Sequence, residues 1–166
     1  MKASTFASIA LALLLPLAAQ AQQTVILVRH AELQGTAMAE PRELPLSDKG
    51  KARAQRLADL LADAGVAAIY VTDFQRTNQT AQPLAYRIDR PLTTVLKGDS
   101  RDLVARMHKE HAGQTVLVVG HTDTLPGLIK ALGYPADIRI EPQDYGSVFI
   151  VAPKADGTPV FLRMHY

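Results

Sequence analysis

Thr24-Val25-Ile26-Leu27-Val28-Arg29-His30 is the stretch on which the reading of the fold turns. Four consecutive apolar residues, three of them β-branched, predict a strand covered on both faces, as in a parallel sheet. The Arg-His pair after them is costly to bury without partners. It suits the carboxyl edge of an open α/β sheet, where ligands bind. A second copy of the arrangement, Thr115-Val116-Leu117-Val118-Val119-Gly120-His121, stands much later in the chain and also precedes a helix pattern. Two strands that each carry a histidine to one edge, with an arginine beside the first, point to a site for an anionic group.

Outward from these two runs, strand and helix patterns alternate to the end of the chain. Pro41 and Pro45 mark a loop from Ala31 to Leu46, and Ser47 caps a helix to about Ala64, stopped by Gly65. Val66–Val71 predicts a second strand, and Thr72-Asp73 the cap of a helix that Pro83 should kink or end nearby. Leu92–Leu96 predicts a short third strand. Gly98-Asp99-Ser100 opens a helix with Leu103, Val104 and Met107 on one face. After His121, one of Thr122, Asp123 or Thr124 caps a helix with Pro126 in its first turn and Gly133 at its end. Ser147–Ala152 and Pro159–Met164 read as a final pair of strands joined by the turn Lys154-Ala155-Asp156-Gly157. The expected fold is a three-layer α/β/α sandwich with a mostly parallel sheet and an antiparallel edge.

Composition narrows the function classes. Lys2, the apolar run Ile9–Ala19 and the site Ala19-Gln20-Ala21 predict an export signal over residues 1–21, cleaved after Ala21. The remaining 22–166 is the size of one domain with a single core. With no cysteine, an exported chain has no disulfide and relies on its core. Without Lys2 the charges are 17 basic to 16 acidic, and tryptophan is absent. Neither a basic stripe nor stacking platforms for nucleic acid are indicated. The expected setting is periplasmic or secreted, with no membrane contact after cleavage.

Arg76 extends the candidate site. It lies in Thr72-Asp73-Phe74-Gln75-Arg76-Thr77, in the first turns of a helix after a strand, where backbone N–H groups and the helix dipole favour an anion. Arg29, His30, Arg76 and His121 thus all fall at strand-to-helix turns on one edge. A neutral imidazole is a competent nucleophile toward phosphorus, and a guanidinium holds phosphate oxygens bidentately. His108 and His111, three apart on a polar helix face, read as surface histidines, and His165 as structural; no metal site is expected. No G-x-S-x-G elbow, G-x-G-x-x-G turn or Walker loop is present.

Val28-Arg29-His30-Ala31-Glu32, Leu46-Ser47-Asp48-Lys49-Gly50, Thr72–Thr77 with Thr80, and Val118–Thr124 together resemble, in order, the motifs of the histidine phosphatase superfamily, with its phosphoglycerate-mutase-like fold. The resemblance implies that His30 is the phosphorylated nucleophile and that Arg29, Arg76 and His121 surround the phosphoryl group. It departs at Ala31, where the family usually has glycine, and at the proton donor. Asp123 is the expected donor and Asp99 the alternative, although Asp99 also suits a helix cap.

These readings lead to a phosphatase without metal or cofactor, acting on a phosphomonoester or a phosphorylated protein side chain through phosphohistidine at His30. The alternative is a non-catalytic phosphate-binding module of the same fold. A mutase is disfavoured, because the chain is short for a lid and a phosphorylated cofactor is not expected outside the cytoplasm.

Overall fold

The computed structural model describes residues 23–35, 43–98, 100–152, 154 and 157–166. The expected leader, Pro41, Asp99 and part of the turn at 154–157 lie outside them. The chain runs β1 (Thr24–Arg29), α1 (Asp48–Leu61), β2 (Val66–Thr72), α2 (Gln75–Arg87), β3 (Leu92–Val95), α3 (Ser100–Glu110), β4 (Thr115–Gly120), α4 (Leu125–Ala131), β5 (Ser147–Ala152) and β6 (Val160–His165). The strands form one six-stranded sheet in the order β3-β2-β4-β1-β5-β6. The first four positions are parallel to one another, while β5 and β6 add antiparallel at one edge.

Alternation along the strands divides the core between the two faces. Ile26, Val28, Ile69, Val71, Leu117 and Val119 pack with Leu57 and Leu61 of α1 and Leu84 of α2. Val25, Leu27, Tyr70, Val116 and Val118 pack with Met107 of α3 and Leu125, Leu128 and Ile129 of α4. This is the three-layer sandwich expected from the alternation of elements. Leu27, Leu57, Ile69 and Leu117 are wholly buried, and each such side chain contributes about 1.5–3 kcal/mol.

Two features of α2 refine the local expectations. α2 runs through Pro83 and ends four residues later, at Arg87. Pro83 costs one hydrogen bond, but Leu84 and Ala85 just beyond it are buried in the core, and that packing holds the last turn together. The cap of α2 is also displaced, since Phe74 occupies the N-cap position and makes no side-chain cap bond. At α1 the expectation holds. Ser47 accepts from the Gly50 amide at 3.1 Å, and Gly65 just past the helix adopts φ of +65°, which suits a residue without Cβ.

The register of the two central strands sets the geometry of the carboxyl edge. Arg29 pairs with Gly120, so β1 and β4 end level. The next residue continues the match, as the His30 amide donates to the Gly120 carbonyl at 3.0 Å. His30 and His121 therefore leave the sheet side by side.

Candidate active site

Arg29, His30, Arg76 and His121, the four residues predicted to form the site, converge at the carboxyl ends of β1, β2 and β4. The His30 and His121 rings meet edge to face at 5.3 Å between centroids. Both histidines and Arg76 are buried. His30 Nδ1 lies 2.8 Å from the Ala31 carbonyl oxygen. A carbonyl only accepts, so the proton resides on Nδ1, and Nε2 keeps its lone pair. Burial, opposed by the Ala31 hydrogen bond and reinforced by the charges of Arg76 and Arg29, lowers the His30 pKa from 6.5 to about 4. The ring is neutral at pH 7.

His121 is held by a relay of hydroxyls. Its Nε2 is 2.8 Å from Thr72 Oγ1, and Thr72 Oγ1 is 3.0 Å from Thr77 Oγ1. Thr77 Oγ1 in turn donates to the Phe74 carbonyl at 2.8 Å. The chain runs one way, with His121 Nε2–H donating to Thr72 and Thr72 to Thr77. Nδ1 then carries the lone pair and faces Arg76 Nη2 at 3.4 Å. Burial, then the neighbouring His30, Arg76 and Lys97, bring the His121 pKa down to about 3.

The loop after His30 is fastened from two sides. The Ala31 amide donates to Thr80 Oγ1 at 2.9 Å, and Thr80 Oγ1 donates to the Arg76 carbonyl at 2.7 Å. Ala31 itself is fully buried against Leu46 and Ala54, so its methyl group has a place in the core. On the other side, Glu32 accepts from Arg53 Nε at 2.8 Å and Nη2 at 2.7 Å. Burial alone would raise the Glu32 pKa, but the bidentate bond and charge of Arg53 prevail and hold it at about 2. Gly50 completes the seat, because a Cβ there would lie 2.2 Å from the Glu32 carbonyl oxygen. The Glu32 carboxylate is thus committed to α1 rather than to the pocket.

Arg29 is held by a segment the sequence did not mark. Its Nη1 donates to the carbonyls of Pro142 at 2.7 Å and of Glu141 and Asp144 at 3.4 Å. The guanidinium stacks 4.0 Å above the Tyr145 ring, which also meets His30 edge-on at 6.1 Å. Arg29 Nε is buried without a hydrogen-bond partner among the described residues. Tyr145 sits in an irregular loop before β5, where no periodicity could have drawn attention to it.

Asp123 lies near the histidines, and its charge acts on His30, His121 and Arg76. Its Oδ2 is 2.7 Å from Lys97 Nζ. Burial would raise its pKa, yet the hydrogen bond and charge of Lys97 outweigh that and lower it. Asp99, the alternative donor, lies outside the described residues. His111 is elsewhere, with Nε2 at 3.1 Å from the Tyr70 hydroxyl and Nδ1 at 2.9 Å from Gln114. His165 Nε2 is 3.1 Å from Ser147 Oγ at the β5–β6 edge. Among the described residues no group of three or more histidines, aspartates or glutamates could hold a metal ion.

Comparison with known proteins gives three findings. A sequence model described as the histidine phosphatase superfamily (branch 1) matches residues 25–97. An 8-oxo-(d)GTP phosphatase of Mycolicibacterium smegmatis is 34% identical over 135 residues, which is 72% of this chain and 40% of that protein. The chain therefore spans about two fifths of the length of the curated relative it matches. Among solved structures, the protein histidine phosphatase SixA complexed with tungstate superposes with a TM-score of 0.68 at 19% identity, covering 86% of this chain and 96% of that one. Bacillus stearothermophilus YhfR gives 0.68 at 24% identity, covering 83% and 94%. At such identities the two structures speak for the fold.

Proposed function

Since the chain belongs to the histidine phosphatase superfamily, we propose that it is a metal-independent phosphatase working through a phosphohistidine at His30. One observation carries the reading. His30 is neutral, with its proton committed to the Ala31 carbonyl and its Nε2 lone pair available, under the charges of Arg29 and Arg76. Arginines alone would suffice to bind phosphate; a neutral imidazole between them is what nucleophilic attack needs.

Phosphoryl transfer depends on positioning and charge stabilisation more than on covalent chemistry by many groups. His30 Nε2 attacks phosphorus in line, the P–O bond to the leaving group breaks, and its electron pair departs with that oxygen. Arg29 and Arg76 stabilise the charge on the equatorial oxygens, and His121 lies against the same group. Water then attacks phosphorus, the P–N bond breaks, and His30 is regenerated as phosphate leaves.

Leaving-group protonation falls in this reading to Asp123. Because Lys97 keeps that carboxylate ionised, proton delivery is weak. The reading therefore favours substrates whose leaving group departs with little help, such as an activated aryl phosphate or a phosphorylated imidazole, over alkyl phosphates. It also places the protein outside the cytoplasm, supported by the apolar run Ile9–Ala19, the Ala19-Gln20-Ala21 site and the absence of cysteine.

The test is chemical trapping. Rapid quenching of the wild type with a radiolabelled aryl phosphate should give protein-bound label that is labile to acid and stable to alkali. His30→Ala should show neither label nor turnover while still folding. Label that persists in His30→Ala refutes the assignment, and phosphate binding without label or turnover in the wild type favours the binding module.

A further inference from the structure

Two arginines supply the positive charge that one phosphoryl group needs, and the site has a third cation. Lys97, just after β3, brings its Nζ to 5.8 Å from the centre of the Phe74 ring. Arg76 covers the same ring at 4.2 Å, and His121 meets it edge to face at 4.9 Å. Lys97 also lines an open cleft that reaches Gly120 and Thr72, whose hydroxyl holds His121. It is therefore beside the phosphoryl pocket and accessible from outside it.

The partner of Lys97 is Asp123, at 2.7 Å. The Asp123 side chain is 64% exposed and that of Lys97 33%. Exposed ion pairs of this kind are weak, so an incoming anion exchanges for the carboxylate at little cost. Released, Asp123 returns to water rather than to a buried, unpaired state. We propose that Lys97 binds a second anionic group of the substrate, adjacent to the transferred phosphoryl group, and that Asp123 holds the place of that group until the substrate arrives. The substrate class is a phosphoryl compound with a second negative charge close by, such as a phosphoanhydride. That this ligand is a substrate rests on the phosphatase reading, whereas its binding does not.

A purely structural role for the pair, tying the loop after β3 to the loop after β4, makes a different forecast. Either substitution would then loosen the same tie, and both would act in the same direction. As a binding residue and its placeholder, Lys97 and Asp123 act in opposite directions.

The experiment is calorimetric titration with methylphosphonate and methylenediphosphonate, which share one phosphonate and differ in the second charge. Wild type should favour the diphosphonate by about tenfold, the scale of one charge-assisted contact. Lys97→Met should abolish that preference and change methylphosphonate affinity by less than about threefold, whereas Asp123→Asn should strengthen diphosphonate binding about two- to fivefold. A wild type that binds both probes equally overturns the inference, as do variants that shift in the same direction. Binding of neither probe overturns it together with the reading of the phosphoryl pocket.

Discussion

Acid should unfold this protein through its two pocket histidines, and the size of the effect is set by their burial. A histidine whose folded-state pKa is depressed takes its proton more readily in the unfolded chain, so protons favour unfolding. The stability it contributes is complete above the ordinary 6.5. It is lost as pH falls from there to the folded value, about 4 for His30 and about 3 for His121. At pH 5 both remain neutral in the fold and are nearly fully charged when unfolded, so each forfeits about 2 kcal/mol relative to pH 7. Glu32, also depressed in the fold, affects stability chiefly below its ordinary 4.5, so it contributes little to that interval. The pair together should cost about 4 kcal/mol, a large share of a typical domain's 5–15 kcal/mol and worth roughly 10 °C in Tm. Urea denaturation at pH 7, 6 and 5 measures it directly. Replacing both histidines by glutamine should reduce the loss to less than about 1 kcal/mol, with each single variant near half the wild-type value. A wild-type curve that is flat over this interval, or one unchanged in the double variant, refutes the argument.

The walls of the pocket supply two further tests. Gly50→Ala places a Cβ 2.2 Å from the Glu32 carbonyl oxygen and 3.0 Å from its amide nitrogen; both are backbone, so α1 must shift. A loss of about 1–3 kcal/mol in urea denaturation is expected, and a change below about 0.5 kcal/mol would show that the helix moves freely. Tyr145→Ala removes the ring beneath the Arg29 guanidinium and should weaken orthophosphate inhibition about three- to thirtyfold. Tyr145→Phe should leave inhibition unchanged, because the ring rather than the hydroxyl makes the stack; equal losses in the two variants would contradict this.

The legible part of the site was the part set by local chain direction. Arg29, His30, Arg76 and His121 each stand where an apolar strand gives way to a turn, and a parallel sheet brings such turns to one edge. Pro83 shows the limit of local rules: buried neighbours on α2 carried the helix past it. Tyr145 could not have been foreseen, because it reaches His30 only through the antiparallel return of β5 beside β1. The Lys97–Asp123 pair was equally hidden. It joins the loops after β3 and β4, which become near neighbours only because both strands flank β2. Asp123 read alone looked like a proton donor; the structure adds Lys97 as its partner, which lowers its pKa.

Thr80 has a mechanical consequence. β1 and β2 are not neighbours, since β4 lies between them, and two strand spacings amount to about 10 Å. The nucleophile and the phosphate-gripping arginine thus rise from separate places on the sheet, and ordinary flexing of its twist would alter the gap between them. A single oxygen on α2 ties the two arms together, taking the amide next to His30 and giving its proton to the carbonyl of Arg76. The two arms of the site are braced against each other at their base, and their spacing is set by two short bonds rather than by the stiffness of the whole sheet. A valine at this position would keep the shape and remove the brace.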